Sequence, residues 1–340
     1  MAAEPLIAHA SLLRAVREHY GLELHTLTFL PAGTAPAYRA EGPQGRWFLK
    51  VLPNTPYGLD LLGRVRAEVP LLRTLRETGV LTWVPRLVPT RAGADLASVG
   101  EHAAALYEWI DAANLGASWT AAVPELAPLL GRLHAGTAQI TARVRDLPVP
   151  PEDFGLPFEA GLLADLRSLE GVGPGDHPGL RALRDLLRPH REELGRLLHQ
   201  ARTFQSAART RPHRFVVCHT DAHGGNVMRD AAGGLWLIDW ETARLAPPEH
   251  DLWMLHARLS EVLPAYEEAR GQRVALDPDV LGFYFTRRVL EDLAVDVRMI
   301  LRGNTRPEED EANLAVLERH ILPDLARTDE RLEKVRRALR

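Results

Sequence analysis

The chain has 340 residues, 46% hydrophobic and 25% charged, a composition typical of a folded protein that is large enough for two lobes. The formal net charge of −4 argues against a nucleic-acid partner, because binding to a phosphate backbone depends on clustered positive charge. Cys218 is the only cysteine, which excludes an internal disulfide. The first residues lack the pattern of a secretory signal, and no apolar stretch approaches a membrane span. We therefore expect a cytoplasmic protein without a membrane partner.

The first third of the chain has the pattern of a small antiparallel sheet with helices around it. Apolar residues at helical spacing predict an amphipathic helix from Leu6 to Tyr20. Strand-like stretches separated by turn residues follow at Leu24–Leu30, Ala37–Ala40 and Trp47–Leu52. A second helix is predicted for Asp60–Thr78, ending at Gly79, and a buried strand that becomes a linker for Ala103–Ala112.

Most of the remaining chain has helical patterns. Helices are predicted for Trp119–Ala142 and Leu180–Phe204, with a proline- and glycine-rich loop at Asp146–Gly179 between them. From Pro247 onward the pattern is again helical, including Leu281–Ile300, Glu308–His320 and a solvated helix at Arg327–Arg340. The sequence therefore predicts an α+β protein whose C-terminal part is mainly helical.

The most informative motif is the loop His219-Thr-Asp-Ala-His-Gly-Gly-Asn226, which Asp239 follows thirteen residues later. Phe215–Cys218 is predicted to be a short strand leading into this loop. Leu235–Ile238 is predicted to be the hairpin partner of that strand. Both carboxylates of the motif would then lie at strand ends and face one cavity.

This arrangement fits phosphoryl transfer. The reaction needs a carboxylate that orients an acceptor hydroxyl, together with oxygen ligands for the Mg²⁺ that neutralises charge on the nucleotide phosphates. Asp221 can supply the carboxylate, and Asn226 and Asp239 can supply the metal ligands. The three side chains predict a kinase site.

A structural role and a zinc site for the same loop are both weaker hypotheses. An isolated Asp221 would most often cap a loop, but the spacing to the other motif residues argues against this. His219 and His223 lie four residues apart, as in zinc hydrolases, but the zincin arrangement needs a helix, which Gly224–Gly225 disfavours.

His-x-Asp-x-x-x-x-Asn with a downstream Ile-Asp resembles the catalytic core of the aminoglycoside phosphotransferase and choline kinase family, whose fold is that of protein kinases. Asp239-Trp240-Glu241 stands where protein kinases carry Asp-Phe-Gly, which favours a small-molecule kinase. Within the family, Leu245–Leu252 is most similar to spectinomycin phosphotransferase. The resemblance implies a two-lobe α+β fold. A nucleotide-binding lobe with a small antiparallel sheet would span residues 1–107, a hinge 108–112, and a larger, mainly helical catalytic and substrate-binding lobe 113–340.

The resemblance also implies how the nucleotide phosphates are held. Lys50, one of only two lysines, lies where such folds place a lysine against the α- and β-phosphates. On position alone, a snorkelling strand-end lysine is the more frequent case. Glu68 on the following helix is the candidate partner of Lys50, with a solvated charge as the alternative. Gly33 and Thr34 lie in a turn that would cover the phosphates, unless it is an ordinary hairpin turn.

The adenine is expected at the linker after the small sheet. By resemblance, the backbone carbonyl of Glu108 and the backbone amide of Ile110 face the edge of the base. Tyr107 takes the position that limits the depth of the pocket. These assignments depend on the register of the strand.

Further motif residues receive roles by position. Glu241 is a candidate ligand for a second metal or contact for a cationic substrate, with a solvent-facing side chain as the alternative. His219 is expected to hold the loop through its ring nitrogens, and His223 to contact the transferring phosphoryl group. Asp251 is expected to cap or brace the catalytic loop from the next helix.

We therefore expect ATP, or GTP, with Mg²⁺ to phosphorylate a hydroxyl of a small cationic molecule, an aminoglycoside or aminocyclitol. Choline, ethanolamine, homoserine and methylthioribose are alternative acceptors, and a non-catalytic nucleotide-binding module is the alternative from another class. Either a monomer or a dimer is compatible with the sequence, and antibiotic resistance would follow from an aminoglycoside acceptor. Acidic residues that could line the acceptor pocket, or form ordinary surface ion pairs, are Glu261, Glu267, Glu268, Glu291, Asp292 and Asp296.

Overall fold

The computed structural model describes residues 4, 7–31, 33, 35–143 and 149–339. The strands are β1 Thr26–Leu30, β2 Ala37–Gly42, β3 Gly45–Leu52, β4 Ala97–Val99, β5 His102–Glu108, β6 Ala112–Asn114, β7 Val216–Cys218, β8 Val227–Asp230, β9 Leu235–Leu237 and β10 Arg244–Ala246. The α-helices are α1 His9–Tyr20, α2 Pro56–Thr78, α3 Val123–Ala135, α4 Thr137–Arg143, α5 Glu159–Ser168, α6 Pro178–Leu187, α7 Arg191–Thr210, α8 Glu249–Leu252, α9 Leu259–Arg270, α10 Pro278–Arg298, α11 Pro307–Val316, α12 Leu322–Ala326 and α13 Thr328–Ala338. Shorter 3-10 or π segments are Gly116–Ala122, Leu169–Gly171, Arg188–His190, Trp253–Arg258, Met299–Gly303 and Leu317–Ile321.

The chain divides into two compact units. Unit 1 comprises Met1–Pro151, Val216–Leu245 and Ala265–Gln272, and unit 2 comprises Glu152–Phe215, Ala246–Pro264 and Arg273–Arg340. The lobes expected at 1–107 and 113–340, with a hinge at 108–112, were defined by nucleotide binding and catalysis and not by compactness. They stay a prediction. No helix in the described ranges combines the length and apolar character that crossing a bilayer requires.

The N-terminal sheet of unit 1 has the predicted antiparallel topology. Its strand order is β1-β2-β3-β5-β4, and Lys50 on β3 lies opposite Ala37 on β2 and Ala105 on β5. Side chains alternate across β3, so Leu49 and Val51 are fully buried in a core that includes residues of α1. Lys50 therefore projects from the opposite face of the sheet.

Helix α2 begins four residues earlier than the sequence pattern predicts, at Pro56. The Thr55 hydroxyl caps it by accepting a hydrogen bond from the Gly58 N–H at 3.1 Å, and proline at the first helical position has no N–H to satisfy. The helix ends as predicted at Gly79, which adopts a φ of 72°. This helix carries Glu68 into the interior of unit 1.

The strands around the motif loop pair differently from the prediction. The strand before the loop, β7, pairs with β10, whereas β9 forms a hairpin with β8, the strand that directly follows the loop. Val227 lies opposite Leu237 in this hairpin. The prediction was wrong because Val227–Asp230 was not recognised as a strand, which left the apolar stretch after it to be assigned to the earlier strand. Both motif carboxylates still follow strands.

Unit 2 is helical, and its elements also differ from the pattern in places. The predicted loop Asp146–Gly179 contains helix α5, whose Leu162 is buried, while residues 144–148 lie outside the described ranges. The predicted helix Leu180–Phe204 is two helices, α6 and α7, separated by a segment that contains Pro189. Helix α13 is not simply solvated, because it buries Leu332 and Val335.

His256 in unit 2 is expected to make stability depend on acid pH. Burial lowers the pKa of His256 to about 4, and its Nδ1–H donates to the Trp253 carbonyl at 3.0 Å. The unfolded chain binds a proton near pH 6.5, whereas the folded chain does so only near pH 4. Stability should therefore fall as the pH decreases through that window, by up to about 3 kcal/mol.

The variant His256→Asn keeps a donor but cannot become charged. Urea unfolding at pH 7.5 and pH 4.5 should show a smaller loss of free energy of unfolding in the variant than in the natural sequence. Equal losses in the two proteins would contradict the assignment.

Candidate active site

His219 holds the motif loop against the strand that follows it. Its fully buried ring donates from Nε2 to the Ile238 carbonyl at 2.9 Å and accepts from the Asp221 N–H on Nδ1 at 3.3 Å. The ring also lies edge-on to the indole of Trp240, with centroids 4.5 Å apart. A histidine that donates from one nitrogen and accepts on the other is neutral, as the predicted structural role requires.

Asp221 and Asn226 are hydrogen-bonded to each other. The Asn226 Nδ2 donates to the Asp221 Oδ2 at 3.0 Å and to the Asp221 backbone carbonyl at 2.9 Å. One amide therefore fixes both the carboxylate and the backbone of the loop. These two bonds also orient the Asn226 side chain, because a fixed position of the amide nitrogen fixes the direction of the amide oxygen.

Close packing around the two glycines explains why the loop needs them. A Cβ on Gly224 would overlap the Gly116 carbonyl oxygen and approach the Trp119 Cβ to 2.8 Å, and a Cβ on Gly225 would lie 2.6 Å from the His223 ring. His223 accepts the Gly225 N–H on Nδ1 at 2.9 Å, and its Nε2 lies 3.5 Å from the Asp221 Oδ2. The imidazole and the carboxylate of the predicted catalytic pair are therefore neighbours.

Asp239 lies directly after the hairpin and adopts a left-handed backbone conformation with φ of 65°. The N–H of the preceding Ile238 donates to the Asn226 carbonyl at 3.0 Å, which ties the two predicted metal ligands together through the backbone. Burial raises the pKa of Asp239. The Lys50 ammonium opposes this shift, and the Glu241 carboxylate adds to it.

Lys50 forms a buried ion pair with Glu241. Its Nζ lies 2.8 Å from the Glu241 Oε2, and the two side chains are 14% and 7% exposed. The solvent-facing alternative for Glu241 is therefore excluded. Burial would lower the pKa of Lys50, but the carboxylates of Glu68, Glu241 and Asp239 raise it above its usual range. The lysine stays charged.

Glu68 is buried and accepts hydrogen bonds from two other groups. The Tyr107 hydroxyl donates to its Oε2 at 3.3 Å, and the Trp240 N–H donates to its Oε1 at 3.3 Å. Burial raises the pKa of Glu68 to about 7, although the charge of Lys50 opposes the shift. Glu68 thus acts on Lys50 through its charge, while the hydrogen-bonded partner of Lys50 is Glu241.

The links to Tyr107 and Trp240 were missed by sequence reasoning. Tyr107 was assigned only a steric role, and Trp240 none. Only a general signal for the Tyr107 bond was present in the sequence: a tyrosine buried at a strand end needs some hydrogen-bond partner, but the sequence does not show which one. Which carboxylate provides it depends on how α2 packs in unit 1.

Of the residues expected to contact the nucleotide, the structure describes Glu108, Ile110 and Gly33. The Glu108 N–H donates to the Arg86 carbonyl at 2.8 Å, its carboxylate pairs with Arg86 at 3.1 Å, and the Ile110 carbonyl accepts from Ala112. Gly33 has φ of 91° with open space around it, as a loop that approaches a ligand requires, whereas Thr34 lies outside the described residues. The nucleotide contacts stay predictions.

Asp251 lies in unit 2 and is fully buried. It is inside α8, whose first residue is Glu249 and whose N-cap position is occupied by Pro248. Asp251 therefore does not open this helix, and its bracing role stays a prediction.

Comparison with known proteins identifies the family. Residues 26–284 match the model of the phosphotransferase enzyme family. StrN of Streptomyces griseus is 26% identical over 333 residues, covering 93% of this chain and 94% of StrN. Spectinomycin phosphotransferase in complex with ADP and spectinomycin superposes with a TM-score of 0.71 at 19% identity, covering 98% of this chain and 99% of that enzyme.

A microcompartment-associated aminopropanol kinase is a further structural neighbour. Its TM-score is 0.61 at 16% identity, with 97% of this chain and 99% of the kinase covered. The predicted kinase-like fold, an antiparallel N-terminal sheet with a mainly helical remainder, is confirmed. The chain therefore belongs to the phosphotransferase enzyme family.

Proposed function

We propose that this enzyme transfers the γ-phosphate of ATP or GTP to a hydroxyl of an amino sugar or aminocyclitol. The observation that carries the proposal is the convergence, within unit 1, of one buried ammonium, the loop carboxylate of Asp221 and the oxygen-bearing side chains of Asn226 and Asp239. Phosphoryl transfer depends mainly on positioning and charge stabilisation, which such a set provides.

Asp221 would accept a hydrogen bond from the acceptor hydroxyl and align it with the phosphorus. The bond from Asn226 holds one carboxylate oxygen, Oδ2, and so fixes the direction in which the carboxylate faces. His223 would donate from Nε2 to a phosphoryl oxygen, because its Nδ1 already accepts from the loop backbone. Both groups are held by the loop itself, so they need no reordering when the reactants bind.

The residues fit a magnesium ion. Asn226, Asp239 and Glu241 offer the hard oxygen atoms that Mg²⁺ prefers, and the use of the Asn226 Nδ2 by Asp221 leaves the side-chain oxygen Oδ1 to face a cation. Burial raises the pKa of Asp239 although the Lys50 ammonium opposes the shift, so a bound cation would add positive charge beside a carboxylate that is held away from water. When bound, the ion would neutralise negative charge on the nucleotide phosphates.

Lys50 would contact the α- and β-phosphates. The carboxylates of Glu241 and Glu68 keep Lys50 charged on the sheet face opposite the N-terminal core. Because this position is buried, the ammonium would attract a phosphate more strongly than it would in water. Tyr107 would keep Glu68 in place while it limits the depth of the base pocket.

The choice of acceptor rests on chemistry and on relatives. The cluster around Lys50 has three carboxylates, those of Glu68, Asp239 and Glu241, for one ammonium, and negative potential favours a cationic substrate. One structural neighbour acts on spectinomycin, an aminocyclitol, and another on aminopropanol. All of these acceptors join an amino group to a hydroxyl, which is the chemistry that we propose here.

A screen of acceptors tests the proposal. ADP or GDP release would be measured for spectinomycin, other aminoglycosides, choline, ethanolamine, homoserine and methylthioribose, with ATP or GTP and Mg²⁺. We expect an aminocyclitol or amino sugar to give a kcat/KM at least tenfold above every other acceptor. A higher value for choline, homoserine or methylthioribose would replace the acceptor class but leave the kinase assignment intact. Nucleotide binding without turnover on any acceptor would favour the non-catalytic module.

A further inference from the structure

A cavity of about 590 Å³ lies inside unit 2, among α5, α6 and α7, separate from every residue assigned to phosphoryl transfer. This volume is in the range of small-molecule sites. Its apolar lining consists of six leucines, Leu163, Leu166, Leu169, Leu187, Leu194 and Leu198. Branched aliphatic side chains without polar atoms offer a ligand apolar contact and no hydrogen bonds.

Gly195 opens one wall of the cavity. It lies within helix α7, where glycine is an unfavourable residue. The glycines in other α-helices of the same unit have a steric reason, since a Cβ on Gly179 would overlap the Asp310 carboxylate and one on Gly161 would overlap the Arg298 guanidinium. A Cβ on Gly195 would meet no atom within 4 Å. The glycine therefore leaves space that no described side chain fills.

Arginines line the cavity beside the leucines. They are Arg167, Arg184, Arg188 and Arg191, and Glu170 is the one acidic residue that lines the cavity in the described part of the chain. Glu170 is bound by Arg191, and Arg184 pairs with Asp185 at 2.8 Å. Among the described residues, Arg188 has no hydrogen-bond or ion-pair partner, and its side chain is exposed. The cavity thus combines an apolar floor with an excess of positive charge.

We propose that this cavity binds a free medium-chain carboxylate, with the alkyl chain against the leucines and the carboxylate on Arg188. The planar guanidinium fork matches a carboxylate in a bidentate geometry. A peptide would bring backbone donors and acceptors that the leucine lining cannot satisfy. A neutral hydrocarbon would leave the positive charge uncompensated. The site is distinct from the kinase site and does not depend on the identity of its acceptor.

Titration calorimetry of the full chain with decanoate, below its micelle concentration, tests the proposal. We expect one saturable site, with the affinity rising about fourfold for each methylene from octanoate to decanoate, as burial of a methylene predicts. Decanol should bind at least tenfold more weakly because it lacks the charge. The protein should not co-sediment with phosphatidylglycerol vesicles.

Two variants have matched controls in α2, outside the cavity. Gly195→Leu should abolish decanoate binding by filling the space, whereas Gly63→Leu, at an exposed helical glycine that also has open space around it, should leave binding unchanged. Arg188→Gln should weaken binding about tenfold, and Arg66→Gln should not. Leucine is a better helix former than glycine, so loss of binding in Gly195→Leu with an unchanged or higher melting temperature reports occupancy of the site and not unfolding.

Clear outcomes would overturn the proposal. These are absence of saturable decanoate binding, unchanged binding in Gly195→Leu, equal affinity for decanol and decanoate, or binding to vesicles without binding to decanoate. Phosphoryl transfer by the same preparation separates this failure from failure of the proposed kinase function. A preparation that turns over its acceptor but ignores decanoate refutes only the carboxylate site.

Discussion

Replacement of Asp221 by alanine is expected to reduce kcat about 10³-fold while nucleotide affinity changes less than about twofold. The carboxylate would act on the acceptor hydroxyl, which is not part of nucleotide binding. The variant should keep the loop in place, because Asn226 also donates to the Asp221 backbone carbonyl and His219 accepts from its N–H. Steady-state kinetics and calorimetric titration with a nucleotide analogue measure the two quantities.

Asp176→Ala is the matched control for this variant. Asp176 is also a loop aspartate whose carboxylate accepts a hydrogen bond, in this case from the Gly173 N–H at 2.7 Å, but it belongs to unit 2. The control should retain full activity. Turnover within tenfold of the natural enzyme in Asp221→Ala would refute the assigned role.

Replacement of Lys50 by methionine is expected to lower both catalysis and stability. Without the ammonium, the phosphates lose a positioned charge, and kcat/KM should fall about 10²- to 10³-fold. The same change leaves the carboxylates of Glu68, Asp239 and Glu241 buried without their common cation. Removal of one partner from a buried ion pair destabilises a protein by about 3–5 kcal/mol.

The loss of stability in Lys50→Met should depend on pH. In the natural protein, burial raises the pKa of Glu68 to about 7 although Lys50 opposes the shift, and without Lys50 that pKa should rise further. As the pH rises above about 5, the folded variant therefore keeps protons that the unfolded chain has released, and its stability should fall more steeply than that of the natural protein. The variant should be closest to the natural protein near pH 5 and furthest from it near pH 8.

The chain's only other lysine supplies the control. Lys334 is exposed in α13, and Lys334→Met should change neither kinetics nor denaturant midpoint by a measurable amount. Equal stability loss at pH 5 and pH 8 in Lys50→Met would show that the buried carboxylates are not responsible.

Much of the fold could be predicted from local pattern. The N-terminal sheet, α2 and its end at Gly79, and the strand before the motif loop follow from alternation, helical period and turn residues. These signals lie within a few residues of one another. The pairing of β9 with β8 could not be predicted in this way, because Val227–Asp230 is too short and too polar to have a clear strand pattern.

The sequence by itself determined the family, because the spacing of Asp221, Asn226 and Asp239 resembles the catalytic loop of that family, and residues 26–284 match its model. Only the tertiary structure decided which charges meet. Glu241 pairs with Lys50 although the two residues are 191 positions apart, and Glu68 binds Tyr107 and Trp240. Such pairings depend on where packing buries each side chain, which the order of residues in the chain does not show. Burial then strengthens the interaction between two charges and shifts the pKa of each group.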